Sequence, residues 1–141
     1  MSDINSALGL SQLSRLKELV KERNKLLSGY KILLKDLPIS FLRIPDRIVS
    51  SVHLAVILLN EDLMNKHSRI FDFMRASNIG VQLHYIPVHT QPYYQSLGFF
   101  DGQFSRSENY SRRAISIPLF PGLSESQQNY VCKMLRKSLD S

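Results

Sequence analysis

Ser51-Val52-His53-Leu54-Ala55-Val56-Ile57-Leu58-Leu59 decides how this chain folds. It is rich in β-branched residues and almost continuously apolar, at the length of one strand. A half-exposed strand alternates apolar and polar residues. Unbroken apolarity predicts a strand covered on both faces, although period alone does not separate it from a short helix. After it, Asn60 is placed to cap a helix running from Glu61 or Asp62 to about Ser77. The apolar stripe of that helix is Met64, Ile70, Phe71 and Met74, and Asn78-Ile79-Gly80 is its stop. Val81 to Ile86 reads as a second strand.

Upstream, Ser2 or Asp3 caps a short helix through Leu10, with Gly9 as a weak point. From Ser11 to about Leu37, Leu13, Leu16, Val20, Leu27, Tyr30 and Leu34 form one stripe of a long amphipathic helix. Gly29 costs that helix about 1 kcal/mol against alanine. Pro38 ends it, because the residue before a proline is pushed out of the helical region. Ile39 to Val49, with Pro45 and no sustained period, reads as an extended connector. Downstream, Pro87 to Gly102 is loop-like, with a helical turn at Tyr93 to Leu97. Ser105 or Ser107 caps a helix through Arg113, and Ala114 to Leu119 is a third strand stopped by Pro121-Gly122. Ser124 and Gln127 have capping-box spacing and open a last helix to about Leu139, with Tyr130, Val131, Met134, Leu135 and Leu139 inward. The predicted class is α+β, about three strands packed on helices. The long N-terminal helix has no place inside so small a layer and looks made to lie against something else.

A chain of 141 residues fits one domain, and 43% hydrophobic with 21% charged residues is ordinary globular composition. No apolar run is long enough to span a bilayer, and Met1 to Asn5 shows no secretory pattern. The single cysteine, Cys132, has no internal disulfide partner and fits a reducing cytoplasm. The formal charge of +6 permits attraction to phosphate in nucleic acid, anionic lipid or a nucleotide-linked substrate. Much of the charge lies between Arg15 and Lys35, read as a solvated helix face with Glu18–Lys21 and Glu22–Lys25 pairs. No zinc-finger spacing or aromatic–basic alternation points to nucleic acid.

Local chemical motifs are few. His84 and His89 stand five apart with no cysteine or carboxylate at ligand spacing, so no metal site is expected. His53 and His67 are singletons, and Cys132 reads as a small buried hydrophobe. There is no nucleophile elbow, P-loop or dinucleotide fingerprint. Arg112-Arg113 can hold a phosphate, but complementing a helix end is the favoured reading.

Longer segments carry more. Ser2-Asp3-Ile4-Asn5-Ser6-Ala7-Leu8-Gly9-Leu10-Ser11-Gln12-Leu13 is followed by a helix with Arg23 and Tyr30. Then come His84-Tyr85-Ile86-Pro87-Val88-His89-Thr90-Gln91-Pro92-Tyr93-Tyr94, Glu108-Asn109-Tyr110, and Ala114-Ile115-Ser116-Ile117-Pro118-Leu119-Phe120-Pro121-Gly122-Leu123. In this order, over essentially the whole chain, they resemble the C-terminal part of the DegT/DnrJ/EryC1/StrS sugar aminotransferases. Leu83 to His89 and Phe120 to Leu123 are most similar to the 4-amino-4,6-dideoxy sugar transaminases of the pseudaminic-acid route, with the aminoarabinose-forming transaminases a near alternative.

The resemblance implies a fold-type-I small C-terminal domain at 39–141, preceded by an interdomain helical segment at 1–38. It implies amino transfer from glutamate to C4 of a nucleotide-linked keto sugar, for surface-glycan biosynthesis in the cytoplasm. It also implies that His84, Tyr85 and His89 face the sugar nucleotide and that Gln91 shapes the pocket. Imidazole and phenol suit sugar hydroxyls or a diphosphate. On the other reading, His84 is satisfied by a strand neighbour and His89 holds the loop. Pyridoxal phosphate is the parent cofactor, bound through a lysine Schiff base. That lysine, the aspartate paired with the ring nitrogen and the asparagine that contacts phosphate lie upstream in the family. None of Lys17, Lys21, Lys25, Lys31, Lys35, Lys66, Lys133 and Lys137 sits in such a segment. The expectation is therefore no catalytic, cofactor or metal residue here, and no turnover by this chain alone. The expected partner is a second copy or a separate lysine-bearing half.

Overall fold

The computed structural model describes residues 2–140. Its elements are α1 (Asp3–Ser14), α2 (Leu16–Leu33), β1 (Ile39–Phe41), β2 (Ala55–Leu59), α3 (His67–Ala76), β3 (Gln82–Leu83), α4 (Pro92–Ser96), α5 (Ser105–Ser111), β4 (Ala114–Ile117) and α6 (Glu125–Asp140). Two 3-10 turns, Glu61–Lys66 and Val88–Thr90, complete the order.

The decisive stretch is a strand, shorter than the reading because it begins at Ala55. β2 lies in the interior of a four-stranded sheet of order β1-β2-β4-β3, with every neighbouring pair antiparallel. Ala55 pairs with Ile117 and Ile57 with Ile115, while Ile39 pairs with Leu59 on the outer side. Three expected strands thus become four. The supposed connector holds β1, and three residues are too few for a period to register.

The N-terminal helices also divide differently. The break falls at Arg15, whose N–H bonds the Gln12 carbonyl at 3.1 Å, and not near Gly9. Gly9 faces open space, so α1 runs straight through it. Ser2 caps α1 by accepting from the Asn5 N–H at 3.4 Å. The helix expected from Asn60 opens as a 3-10 turn, and Asn60 makes no side-chain cap. Its N–H is drawn instead to the Pro38 carbonyl at 2.9 Å. α3 stops as read: Asn78 takes a left-handed φ of 57°, which a short polar side chain tolerates, and the Ile79 N–H closes on the Met74 carbonyl at 3.1 Å. The capping box of α6 forms in both directions, Gln127 N–H to Ser124 Oγ at 3.2 Å and Ser124 N–H to Gln127 Oε1 at 2.9 Å.

The core joins Leu27, Tyr30 and Leu34 of the α2 segment to Ile57 and Leu59 of β2, Ile70 and Met74 of α3, Ile115 of β4, and Leu135 and Leu139 of α6. Tyr30 is fully buried and donates its hydroxyl to the Pro118 carbonyl at 2.9 Å. Burial, and then the Cys132 thiol, push the Tyr30 phenol far above its usual range. Gln128 donates to the Leu26 carbonyl at 2.7 Å and lies so close to Gly29 that a Cβ there would meet its Oε1 at 3.0 Å. Close approach explains a glycine inside a helix. Tyr130, expected inward, is about half exposed and donates to the Ser77 carbonyl at 3.2 Å.

Among the described residues neither Glu18–Lys21 nor Glu22–Lys25 forms an ion pair. Charge pairing joins separate elements instead, as in Arg136 to Asp36, where Nη2 meets Oδ1 at 3.0 Å. α1 buries no residue, and Ile4, Leu8, Leu10 and Leu13 are all exposed. No helix among the described residues is long and apolar enough to cross a membrane.

Candidate functional site

The segment from His84 to Gln91 forms an arch between the end of β3 and the start of α4. Each end is pinned by a histidine. His84, half-buried, places Nδ1 3.2 Å from the Ser116 Oγ of β4. Its ring stacks on Tyr85 at 4.5 Å and 28°, and Tyr110 of α5 approaches edge-on at 6.3 Å. The His84–Tyr85 peptide bond is cis. Burial, and then the neighbouring Tyr85, raise the Tyr110 phenol above its usual pKa.

At the other end His89 is buried, with Nε2 2.8 Å from Glu108 Oε1 and its ring edge-on to Phe104 at 4.8 Å. The Glu108 carboxyl is also buried. Burial pushes it up, but hydrogen bonds from the Phe104 N–H, His89 and the Gly102 N–H outweigh that and hold it below the ordinary glutamate range. Gln91 closes the arch through its backbone: its N–H donates to the Val88 carbonyl at 3.1 Å, and its carbonyl accepts from the Gln95 N–H at 3.0 Å.

His84 and Tyr85 stack on each other, whereas His89 has its own partners, Glu108 and Phe104. Between the anchors, Tyr85 is 67% exposed, Ile86 59% and Val88 61%. The outward surface of the arch is one phenol and two aliphatic side chains. His89 is buried against Glu108 and Phe104. Sequence reading did not single out Glu108 or Ser116 as partners. Both are ordinary polar residues until the fold sets them against the two histidines.

Other sequence candidates find structural partners. Arg113 donates Nε to the Leu59 carbonyl at 2.6 Å and Nη1 to Asn109 at 2.9 Å, and Arg112 reaches Asp101 at 3.5 Å. His67 Nε2 lies 3.1 Å from the Ala114 carbonyl. Cys132 is buried, and burial pushes its thiol up to about 11. Among the described residues no three His, Cys, Asp or Glu side chains converge as a metal set.

One groove of about 350 Å³ lies beside α6, against Ile79, Pro118, Phe120 and Tyr130. Another of about 750 Å³ runs between α2 and α6, bordered by Lys25, Ile32, Leu33 and Gln128. Neither includes His84, Tyr85, His89 or Gln91. A cofactor held through a lysine needs a buried amine. Six of the eight lysines are exposed on helix faces, Lys35 is exposed in the turn after α2, and Lys66 is half-buried at the end of a 3-10 turn. These residues do not fit such a group.

Comparison with known proteins gives one consistent answer. The model of the DegT/DnrJ/EryC1/StrS aminotransferase family matches residues 1–136. The spore coat polysaccharide biosynthesis protein SpsC of Bacillus subtilis is 32% identical over 147 aligned residues, which take in 96% of this chain and 36% of SpsC. GDP-perosamine synthase of Vibrio cholerae is 26% identical, across 96% of this chain and 37% of that protein. Among solved structures, Helicobacter pylori PseC, an aminotransferase involved in the biosynthesis of pseudoaminic acid, superimposes with a TM-score of 0.91 at 27% identity. That superposition covers 99% of this chain and 38% of PseC. The chain thus spans a little over a third of the length of these relatives. On the family match, the long alignment and the shared fold, the chain belongs to the DegT/DnrJ/EryC1/StrS aminotransferase family.

Proposed function

We propose that this chain is the small-domain portion of a nucleotide-sugar aminotransferase acting in surface-glycan biosynthesis in the cytoplasm. Residues 1–38 form its interdomain segment and residues 39–141 its small C-terminal domain. The parent reaction moves an amino group from glutamate to C4 of a keto sugar carried on a nucleotide. In the finer reading the product is UDP-4-amino-4,6-dideoxy-N-acetyl-β-L-altrosamine, and the 27% identity to PseC supports it.

The observation that carries the reading is the arch. A segment that resembles the family's substrate-side loop is pinned at both ends and turns Tyr85 outward with His84 stacked behind it. A phenol face suits a base or sugar ring, and its hydroxyl suits a diphosphate oxygen. An exposed arch binds small molecules weakly until another surface closes over it, because ligand sites bury most of their ligand.

Family members work with pyridoxal phosphate, which supplies the electron sink for amino transfer. The lysines of this chain do not build its cradle, so the chemistry belongs to a lysine-bearing portion that completes the protein. Residues here serve the substrate side: Tyr85 and His84 make contact, while His89 and Gln91 hold the arch in shape.

Nuclear magnetic resonance of the labelled chain during titration with UDP-N-acetylglucosamine tests the reading. The expected result is weak binding, with Kd about 1 mM or above, shifts centred on Tyr85 and His84, and their loss in Tyr85→Ala. Shifts confined to the α2–α6 groove would sink the assignment. Incubation with pyridoxal phosphate and borohydride tests the other half, and stoichiometric fixation on any of the eight lysines would overturn it.

A second reading has its own observation. Ile4, Leu8, Leu10 and Leu13 expose apolar surface on α1, as Tyr93, Leu97 and Phe100 do beyond the arch. Exposed apolar area of this kind marks a contact surface. The chain then works as an association module, pairing with itself or with a lysine-bearing half. Sedimentation separates the cases, and a monomer that ignores a supplied lysine-bearing half refutes this reading.

A further inference from the structure

One oxygen atom stands out in the structure. Glu108 Oε1 is met by His89 Nε2 at 2.8 Å, the Gly102 N–H at 2.9 Å and the Phe104 N–H at 3.1 Å. The His89 contact comes from the 3-10 turn that ends the arch, whereas the other two come from the loop that precedes α5. A single buried acceptor thus ties together two segments that no β-ladder joins. Facing a carboxylate, His89 carries its proton on Nε2 and donates it.

Burying a carboxylate is unfavourable unless hydrogen bonds replace the lost water. Three donors on one oxygen do that here, and charge-assisted bonds are the strong ones. Phe104 adds a ring edge against His89, and Phe99 continues the contact at 6.3 Å from Phe104. The far end of the arch has a single side-chain hydrogen bond, His84 to Ser116, with Tyr110 edge-on to the His84 ring.

The geometry points to Glu108 as a positioning residue, which touches no substrate and fixes the outward presentation of Tyr85 through His89. This rests on the reading of the arch as substrate-facing and assigns that site a residue outside it. An alanine at 108 leaves two backbone N–H groups and an imidazole N–H without their acceptor. A glutamine keeps a carbonyl oxygen in the same place and restores most of the contacts.

The experiment compares the unsubstituted chain with Glu108→Ala and Glu108→Gln by amide exchange and ¹⁵N relaxation. In Glu108→Ala the Gly102 and Phe104 amides should exchange about tenfold faster, the loss expected for one hydrogen bond, while Ile57 and Ile115 stay protected. Order parameters at Tyr85, Ile86 and Val88 should fall from about 0.85 to below about 0.6, and Glu108→Gln should recover them. Acceleration of Ile57 and Ile115 in step with Gly102 would show a merely structural role and overturn the proposal. So would an arch that stays rigid in Glu108→Ala, or a glutamine that rescues nothing. A failed nucleotide titration with this pattern intact falls on the arch reading, and loss of the pattern with titration intact falls on the clamp.

Discussion

α1 and α6 are both helices that carry many apolar residues, and only one of them is buried. α6 places Val131, Cys132, Met134, Leu135 and Leu139 along one stripe, all of them inside. In α1, Ile4, Leu8, Leu10 and Leu13 point around the cylinder, and none is buried. An apolar stripe marks a helix lying on a core. Apolar residues all round mark a helix that is enclosed in something larger. The contrast shows that arrangement, and not apolar content, decides which helix this fold uses for itself.

The largest break in the comparison comes from the two leucines that typify it. Leu135→Ala should cost about 2–5 kcal/mol in urea unfolding, the range for a fully buried leucine. Leu8→Ala should stay within about 0.5 kcal/mol, as exposed positions do. Equal losses would erase the distinction between the helices.

Tyr30→Phe sharpens the role of α2, whose second half belongs to the core while its first turns stay open. It leaves the Pro118 carbonyl without its donor, and the expected cost in the same assay is about 1–2 kcal/mol. No change would mean that the carbonyl finds water.

Caps give a smaller effect of the same kind. Ser124→Ala removes the α6 cap and should cost about 1 kcal/mol. Ser2→Ala should lower α1 helicity by circular dichroism and leave the unfolding midpoint in place, because α1 carries none of the core.

Gly29→Ala should come out near zero. The helix gains about 1 kcal/mol from the alanine. The new Cβ displaces Gln128 from the Leu26 carbonyl, which loses a hydrogen bond of about the same worth. A gain of the full helical increment would show that Gln128 moves freely.

The most local prediction concerns acid. Glu108 has its folded pKa below the ordinary glutamate range, so its contribution is present above the unfolded value and fades as pH falls through the folded one. Amide exchange on acidification should open residues 99–104 before β2 and β4. Simultaneous opening would show that the clamp is not a separate unit.

Patterns carried by neighbours in sequence were legible. The apolar run before Asn60 announced the strand, Ser124 and Gln127 announced their own cap, and Asn78 announced a stop. All three depend on backbone and side chains within a few residues. The ordered run of segments from Ser2 to Leu123 also identified the family. β1 escaped notice because three residues carry no period, and the division at Arg15 because no local breaker marks it. At the site, the sequence singled out His84 and His89 and could not assign their duties.

The hydrogen-bond partners of both histidines lie far along the chain: Ser116 is 32 residues from His84, and Glu108 is 19 from His89. Only folding brings such pairs into contact, so only the tertiary structure could show which side chains anchor the arch and which face outward. The same holds for Gly29, whose reason is a glutamine on another helix. Short-range patterning follows from covalent neighbours, whereas partnership across the fold follows from packing, which no local period encodes.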